Sequence, residues 1–206
     1  MRDVKEPEVR RAEIMAAAAQ LFVIKGYLNT TTQDIIDELK ISRGLLYYHF
    51  KNKEDILFCM VEKYSEPLLR QLKSLAYSEK KTAIEKVQQF IEVTLISPES
   101  ITGEKLELQK SVNLEENRYM MDRFNHKFCN IVIEYFTHII EQGNEEGVFH
   151  VAHPKETAAF LITGYAFVSN DLKIIYHDYG YLEKYLVAYK QILERTLETK
   201  EPIFCS

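Results

Sequence analysis

The chain contains no tryptophan, and only 7 glycines, 5 prolines and 3 cysteines among its 206 residues. So little turn punctuation excludes a sheet of many short strands. Strand-like alternation is nearly absent too, so an all-α protein is expected. Cys59, Cys129 and Cys205 are odd in number and sit at no metal-ligand spacing. They make neither a disulfide framework nor a zinc site, and read as free thiols in a reducing cytoplasm. The longest near-apolar run, Ala158 to Val168, falls far short of the ~20 residues that cross a bilayer. The opening Met-Arg-Asp-Val-Lys-Glu-Pro-Glu has no apolar core and does not read as a signal peptide. Catalytic signatures are missing as well: there is no Gly-x-Ser-x-Gly, no glycine-rich phosphate loop and no HExxH. Cys129 and His126 lie three apart without a third activating group, so no enzyme, cofactor or metal is expected.

An excess of positive charge is also lacking. The net charge is −5, and residues 1–60 balance nine Lys/Arg against nine Asp/Glu, so the deficit lies in the remainder. What exists is local: Arg43, His49, Lys51 and Lys53 fall within eleven residues. A content of 46% hydrophobic and 28% charged residues supports a soluble core.

Helical signals run along the whole chain. Ile14, Ala17, Ala18, Leu21 and Phe22 make a buried stripe on a first helix over about 8–25, ended by Gly26. Thr31, with Asp34 three residues on, resembles a capping box for a second helix buried through Ile35, Ile36 and Leu39. After the turn at Lys40-Ile41, Ser42 caps a very short third helix, about 43–49. Asn52, with Asp55, caps a fourth helix from Lys53, which Pro67 should kink or end near Ser65. Beyond it the pattern predicts helices over about 82–95, 104–114, 118–142, 154–177 and 181–199, with Gly180 separating the last two. The expected division is a helix-turn-helix domain over 1–52 and a helical-bundle regulatory domain over 53–206.

Two short helices joined by a tight turn, the second rich in base- and phosphate-seeking side chains, describe a DNA reader. Candidate contacts are Thr31, Thr32, Ser42, Arg43, Gly44, Leu45, Tyr47, Tyr48, His49 and Lys53. Arg43 can grip guanine O6/N7 or a phosphate, and Leu45 can touch a thymine methyl. Gly44 permits close approach. Tyr47, Tyr48 and His49 can donate to phosphates. Lys53 and the two threonines sit at helix N-termini that favour anions. The other reading of Tyr47-Tyr48-His49 is an aromatic patch packed on the fourth helix.

The run Thr30-Thr31-Thr32 … Ile35 … Ser42-Arg43-Gly44-Leu45-Leu46-Tyr47-Tyr48-His49-Phe50-Lys51-Asn52-Lys53-Glu54 closely resembles the DNA-binding signature of the tetracycline-repressor (TetR) family. Leu21-Phe22 … Lys25-Gly26-Tyr27 matches the end of that family's first helix. The likeness covers about the first 60 residues, and Leu45 departs from the small or polar residue common there. It implies a dimeric regulator pairing through its last two helices, reading a palindromic operator on double-stranded DNA, and released by a small molecule. Two copies also suit the geometry, because one such helix reads too few base pairs. The last helix carries Leu182, Tyr185, Leu186, Tyr189, Leu193 and Leu197 on one side, and the helix before it is apolar nearly all round.

For a hydrophobic effector, Phe90, Phe124, Phe128, Tyr135, Phe160 and Tyr165 are candidate walls, with Glu134 and His138 as polar groups. Each aromatic reads equally as core, and Glu134 as part of a solvated face. A regulator controlled by a protein partner, or lacking a small effector, is the alternative.

Overall fold

The computed structural model describes residues 6–94, 108, 111, 112, 114–175 and 179–204. Among the described residues there are eight α-helices and no strand. They are α1 (Pro7–Lys25), α2 (Thr32–Leu39), α3 (Arg43–His49), α4 (Lys53–Ala76), α5 (Ala83–Thr94), α6 (Arg118–Glu145), α7 (Pro154–Ile175) and α8 (Tyr179–Leu197). A 3-10 turn, Glu115–Asn117, leads into α6. Two compact units result: Met1–Ser65 with Ser97–Phe124, and Glu66–Ile96 with Asn125–Ser206.

Local chemistry explains the ends of the first helices. Gly26, at φ 79°, turns the chain out of α1 while its N–H still reaches the Phe22 carbonyl. Thr31 caps α2 in a full capping box with Asp34, as its spacing predicts. Ser42 Oγ accepts the Leu45 N–H at 3.2 Å to start α3, and Asn52 Oδ1 accepts the Asp55 N–H at 2.7 Å to start α4. The turn between α2 and α3 puts Lys40 in the left-handed region, φ 51°, and closes with the Ile41 N–H on the Ile36 carbonyl.

The first unit buries Ile14, Ala18, Leu21 and Phe22 of α1 against Ile35, Leu46 and Phe50. Ile56, Leu57 and Met60 of α4 complete that core, together with Leu108 and Met120 from far along the chain. The expected boundary at Lys53 therefore falls inside the first compact unit. Each such aliphatic side chain contributes about 1.5–3 kcal/mol on burial.

Pro67 neither ends nor interrupts α4, which continues to Ala76. Proline removes one N–H, and the carbonyl it orphans is that of Lys63. Lys63 and Pro67 both lie on the exposed side, where water can serve that carbonyl. Gly180, expected as a separator, instead lies in the first turn of α8. Of the helix expected over 104–114, Leu108, Ser111 and Val112 are helical, and the rest lies outside the described residues.

The second unit is packed mainly by apolar side chains. Phe90 and Phe136 meet ring to ring at 4.9 Å in a core with Leu72, Ile139, Phe149, Leu161 and Leu193. Gly143 is required there, because a Cβ would lie 1.8 Å from the Phe149 ring. One charge is buried among these groups: Lys86, 1% exposed, donates to the Ala76 carbonyl at 2.7 Å and to Gln142 Oε1. It thereby closes the C-terminal end of α4.

Candidate nucleic-acid interface

The reader is built around the short α3. Leu46 points into the core and is fully buried, and Phe50 follows it one turn later. That anchoring leaves Arg43, Gly44, Tyr47 and Tyr48 exposed on the opposite side, with Leu45 half-buried at the edge. Beyond its own helix backbone and chain neighbours, no described residue lies within 4 Å of where a Gly44 side chain would begin. The outer surface there is open to a partner's backbone.

The exposed polar groups are coupled. Tyr47 Oη lies 3.2 Å from Thr32 Oγ1, joining the end of α3 to the first turn of α2. The Arg43 guanidinium sits 5.5 Å from the Tyr47 ring centroid, within cation–π range. The Thr32 hydroxyl, and next the nearby Arg43 charge, lower the Tyr47 pKa. Tyr48 stands edge-on to His49 at 4.9 Å. Burial first, then the charges of Arg11 and Arg10, hold the His49 pKa below its usual value.

Thr31 and Lys53 occupy different environments from these. The Thr31 hydroxyl and N–H both donate to Asp34 Oδ2 at 2.7 Å, and Asp34 pairs with Lys25 at 2.6 Å. The Lys25 ammonium, ahead of the Thr31 groups, holds the Asp34 carboxyl well below the usual carboxylate range. The anion-favouring end of α2 already has its own carboxylate. The Lys53 ammonium turns inward to the carbonyls of Tyr27 at 2.6 Å and Thr30 at 2.8 Å.

Sequence reasoning overlooked Arg11. Its guanidinium donates to the His49 carbonyl at 2.6 Å and to Cys59 Sγ at 3.1 Å, and lies 4.4 Å from the Phe50 ring centroid. One side chain thus ties α1 to α3 and α4. The signal was present, since Arg11 stands three residues before Ile14 and seven before Ala18, in line with the buried stripe.

Residues 14–59 match the family described as bacterial regulatory proteins, tetR family, and residues 101–192 match a tetracyclin repressor-like C-terminal domain. The two matches together take in two thirds of the chain. The chain belongs to the TetR family of transcriptional regulators. Its similarity to the HTH-type transcriptional regulator HbdR of Aromatoleum sp. (strain CIB) is 39% identity over 79 residues, 36% of this chain. That stretch spans about a third (34%) of HbdR. The fold resembles a TetR-family regulator from Pectobacterium atrosepticum, with TM-score 0.64 and 24% identity, covering 95% of this chain and 97% of that one. It also resembles SmeT in complex with triclosan, with TM-score 0.63 and 18% identity, covering 96% and 95%. The regulator is thus a DNA-binding protein of the helix-turn-helix class, and its family is one of regulators rather than enzymes.

Of the eight effector-pocket candidates of this regulator, Phe90, Phe128, Tyr135 and Tyr165 belong to the apolar cluster of the second unit. Phe90 is core, and Phe128 packs partly buried against that core. Phe124 belongs to the first unit. Phe160 is 83% exposed, so it faces outward rather than into a cavity. Glu134 is exposed, as the solvated-face reading has it. His138 stacks on Tyr77 at 4.6 Å, with Tyr135 edge-on to the same ring at 6.1 Å. Tyr165 stacks on Tyr189 at 4.5 Å. Among the described residues no group of three or more His, Cys, Asp and Glu could hold a metal, and no helix is long and apolar enough to cross a membrane.

Proposed function

We propose that this regulator is a homodimeric repressor that reads a palindromic operator through α3. The observation that carries the reading is the exposed, capped α3, with Arg43, Tyr47 and Tyr48 on the side opposite a fully buried Leu46. Arg43 and Leu45 choose the bases, while Thr32, Ser42, Tyr47, Tyr48 and His49 set the register on the phosphates. Gly44 lets the backbone approach. Dimerisation through α7 and α8 is supported by an apolar face that the second unit leaves outside. On α7, Phe160 and Phe167 are 83% and 68% exposed, one turn either side of the open Gly164, and on α8 Val187 and Ile192 are exposed. A patch of this kind is what an association surface offers.

A small hydrophobic effector acting through the second unit, and releasing the operator, completes the proposal. Support comes from the structural likeness to SmeT, which was solved with triclosan. One observation favours the alternative of a regulator with a protein partner or no small effector: Phe90, Phe136 and Phe149 fill the described core of that unit. The experiment is selection from a random duplex pool at near-physiological salt, followed by competition with hydrophobic compounds. Enrichment of an inverted repeat is expected, with release by at least one compound. Weak, salt-sensitive binding without a preferred sequence removes the reader. Enrichment with release by no compound leaves the reader and favours the alternative.

A further inference from the structure

Lys53 opens α4, and its side chain runs back under the loop between α1 and α2. An ammonium has three donors and no acceptor. Here Nζ lies 2.6 Å from the Tyr27 carbonyl, 2.8 Å from that of Thr30 and 3.4 Å from that of Leu28. It also stands 4.2 Å from the centroid of the Tyr27 ring. All of its donors point at the loop. Burial lowers the Lys53 pKa, and the nearby Glu116 carboxylate opposes that effect.

Tyr27 carries the connection further. Its ring is buried edge-on against Phe22 at 5.0 Å, and its hydroxyl lies beside the side chain of Asn117. Asn117 is 2% exposed and donates through Nδ2 to the Ser111 carbonyl at 2.7 Å. Both Ser111 and Asn117 belong to the same compact unit as the reader, although about 60 residues or more follow Lys53 in sequence before either of them. The loop so held ends in Thr30, whose hydroxyl donates to the Gly26 carbonyl at 2.8 Å, and passes directly into Thr31 and Thr32. Thr32 is the residue that Tyr47 of α3 engages.

We propose that Lys53, Tyr27 and Asn117 are positioning residues of the reader, which fix the loop between α1 and α2 and thereby place the Thr32–Tyr47 pair against DNA. Lys53 acts here as an internal brace and not as a phosphate contact. The inference rests on the DNA-reading function and deepens it.

The salt dependence of operator binding separates the two roles of Lys53. Each phosphate neutralised adds about 0.9 to the slope of log K against log salt, whereas a brace adds nothing. The probes are the selected operator duplex and a scrambled duplex, titrated at four salt concentrations. Lys53→Met is expected to weaken operator binding roughly tenfold, as loss of charge-assisted hydrogen bonds does, with the slope unchanged and scrambled-duplex binding unaltered. Tyr27→Phe keeps the ring and removes only the hydroxyl, and Asn117→Ala removes the side chain beside it. Both are uncharged changes far from the outer face of α3, and both are expected to lower the operator-to-scrambled ratio in the same direction. Thermal melts of all three establish that the reader remains folded at the titration temperature. A slope reduced by about 0.9 for Lys53→Met, with equal loss on both duplexes, overturns the brace. Wild-type ratios for Tyr27→Phe and Asn117→Ala overturn the node. If the unaltered protein prefers no duplex, the DNA-reading function itself falls, which is a different failure.

Discussion

The two compact units are held together in different ways. In the first, short helices are fixed by polar ties: the Thr31–Asp34 box, the Ser42 and Asn52 caps, Arg11 on the His49 carbonyl and Lys53 on the loop. The second has polar ties of its own, such as the Thr82–Glu85 box and Asn144 on Val151, but sets them around a larger core of rings and aliphatic side chains, with Lys86 the one charged group buried among its described residues. A reader must present side chains to within a fraction of an ångström on a helix of two turns, and directional bonds supply that placement. A regulatory body needs bulk packing and faces on which to associate. Its outward Phe160 and Phe167 are the apolar surface that the proposed dimer would cover.

The largest expected effect comes from breaking the proposed dimer face. Phe167→Glu places like charges across a two-fold interface, which costs several kcal/mol. Sedimentation should show a monomer, and operator affinity should fall by roughly a hundredfold or more because single half-sites bind weakly. A dimer that persists removes α7 from the interface. Next in size is the core itself. Phe136→Ala in the second unit should cost about 3–5 kcal/mol in calorimetric unfolding, since Phe136 is fully buried against Phe90. A loss below 1 kcal/mol would mean that this unit is more loosely packed than the reader.

Within the reader, effects divide between recognition and stability. Arg43→Ala should cost ~1–3 kcal/mol of operator affinity and relax preference at one position per half-site, leaving the melt unchanged. Uniform weakening on every sequence would make Arg43 a phosphate contact. Thr31→Ala should lower stability by about 1 kcal/mol through loss of the cap, read in a urea titration. The smallest effect concerns pH. Asp34 has a folded-state pKa below its ordinary value, chiefly through Lys25, so its contribution is present at neutral pH and lost as pH falls below about 4. Asp34→Asn should flatten the acid limb of the stability curve, most visibly at low salt. An identical acid limb would mean that solvent screens the Lys25–Asp34 pair entirely.

Much of the first unit was legible because its signals are local. Ser42, Thr31 and Asn52 act on N–H groups three residues away, so spacing alone located the starts of α2, α3 and α4. The ties that position the reader are not local. Arg11 reaches residues 38 and 48 positions on, and Lys53 reaches back 26. Polar side chains of that length can end almost anywhere, which is why Lys53 read as a phosphate seat and Asn117 as nothing at all. The aromatic candidates of the body were ambiguous for a different reason. Helical spacing says that a face is apolar, not what covers it. Phe90 meets core and Phe160 meets solvent from equally apolar helices. Pro67 does not end α4, because the cost of proline inside a helix depends on whether water can reach the orphaned carbonyl.

The most direct test of the account is a hydroxyl-radical footprint of the regulator on its selected duplex. Two protected patches related by two-fold symmetry are expected, centred about one helical turn apart or a multiple of it on one side of the DNA. With Arg43→Ala, the same patches should appear only at higher protein concentration. A single patch, or uniform protection along the duplex, would contradict a dimeric reader that works through α3.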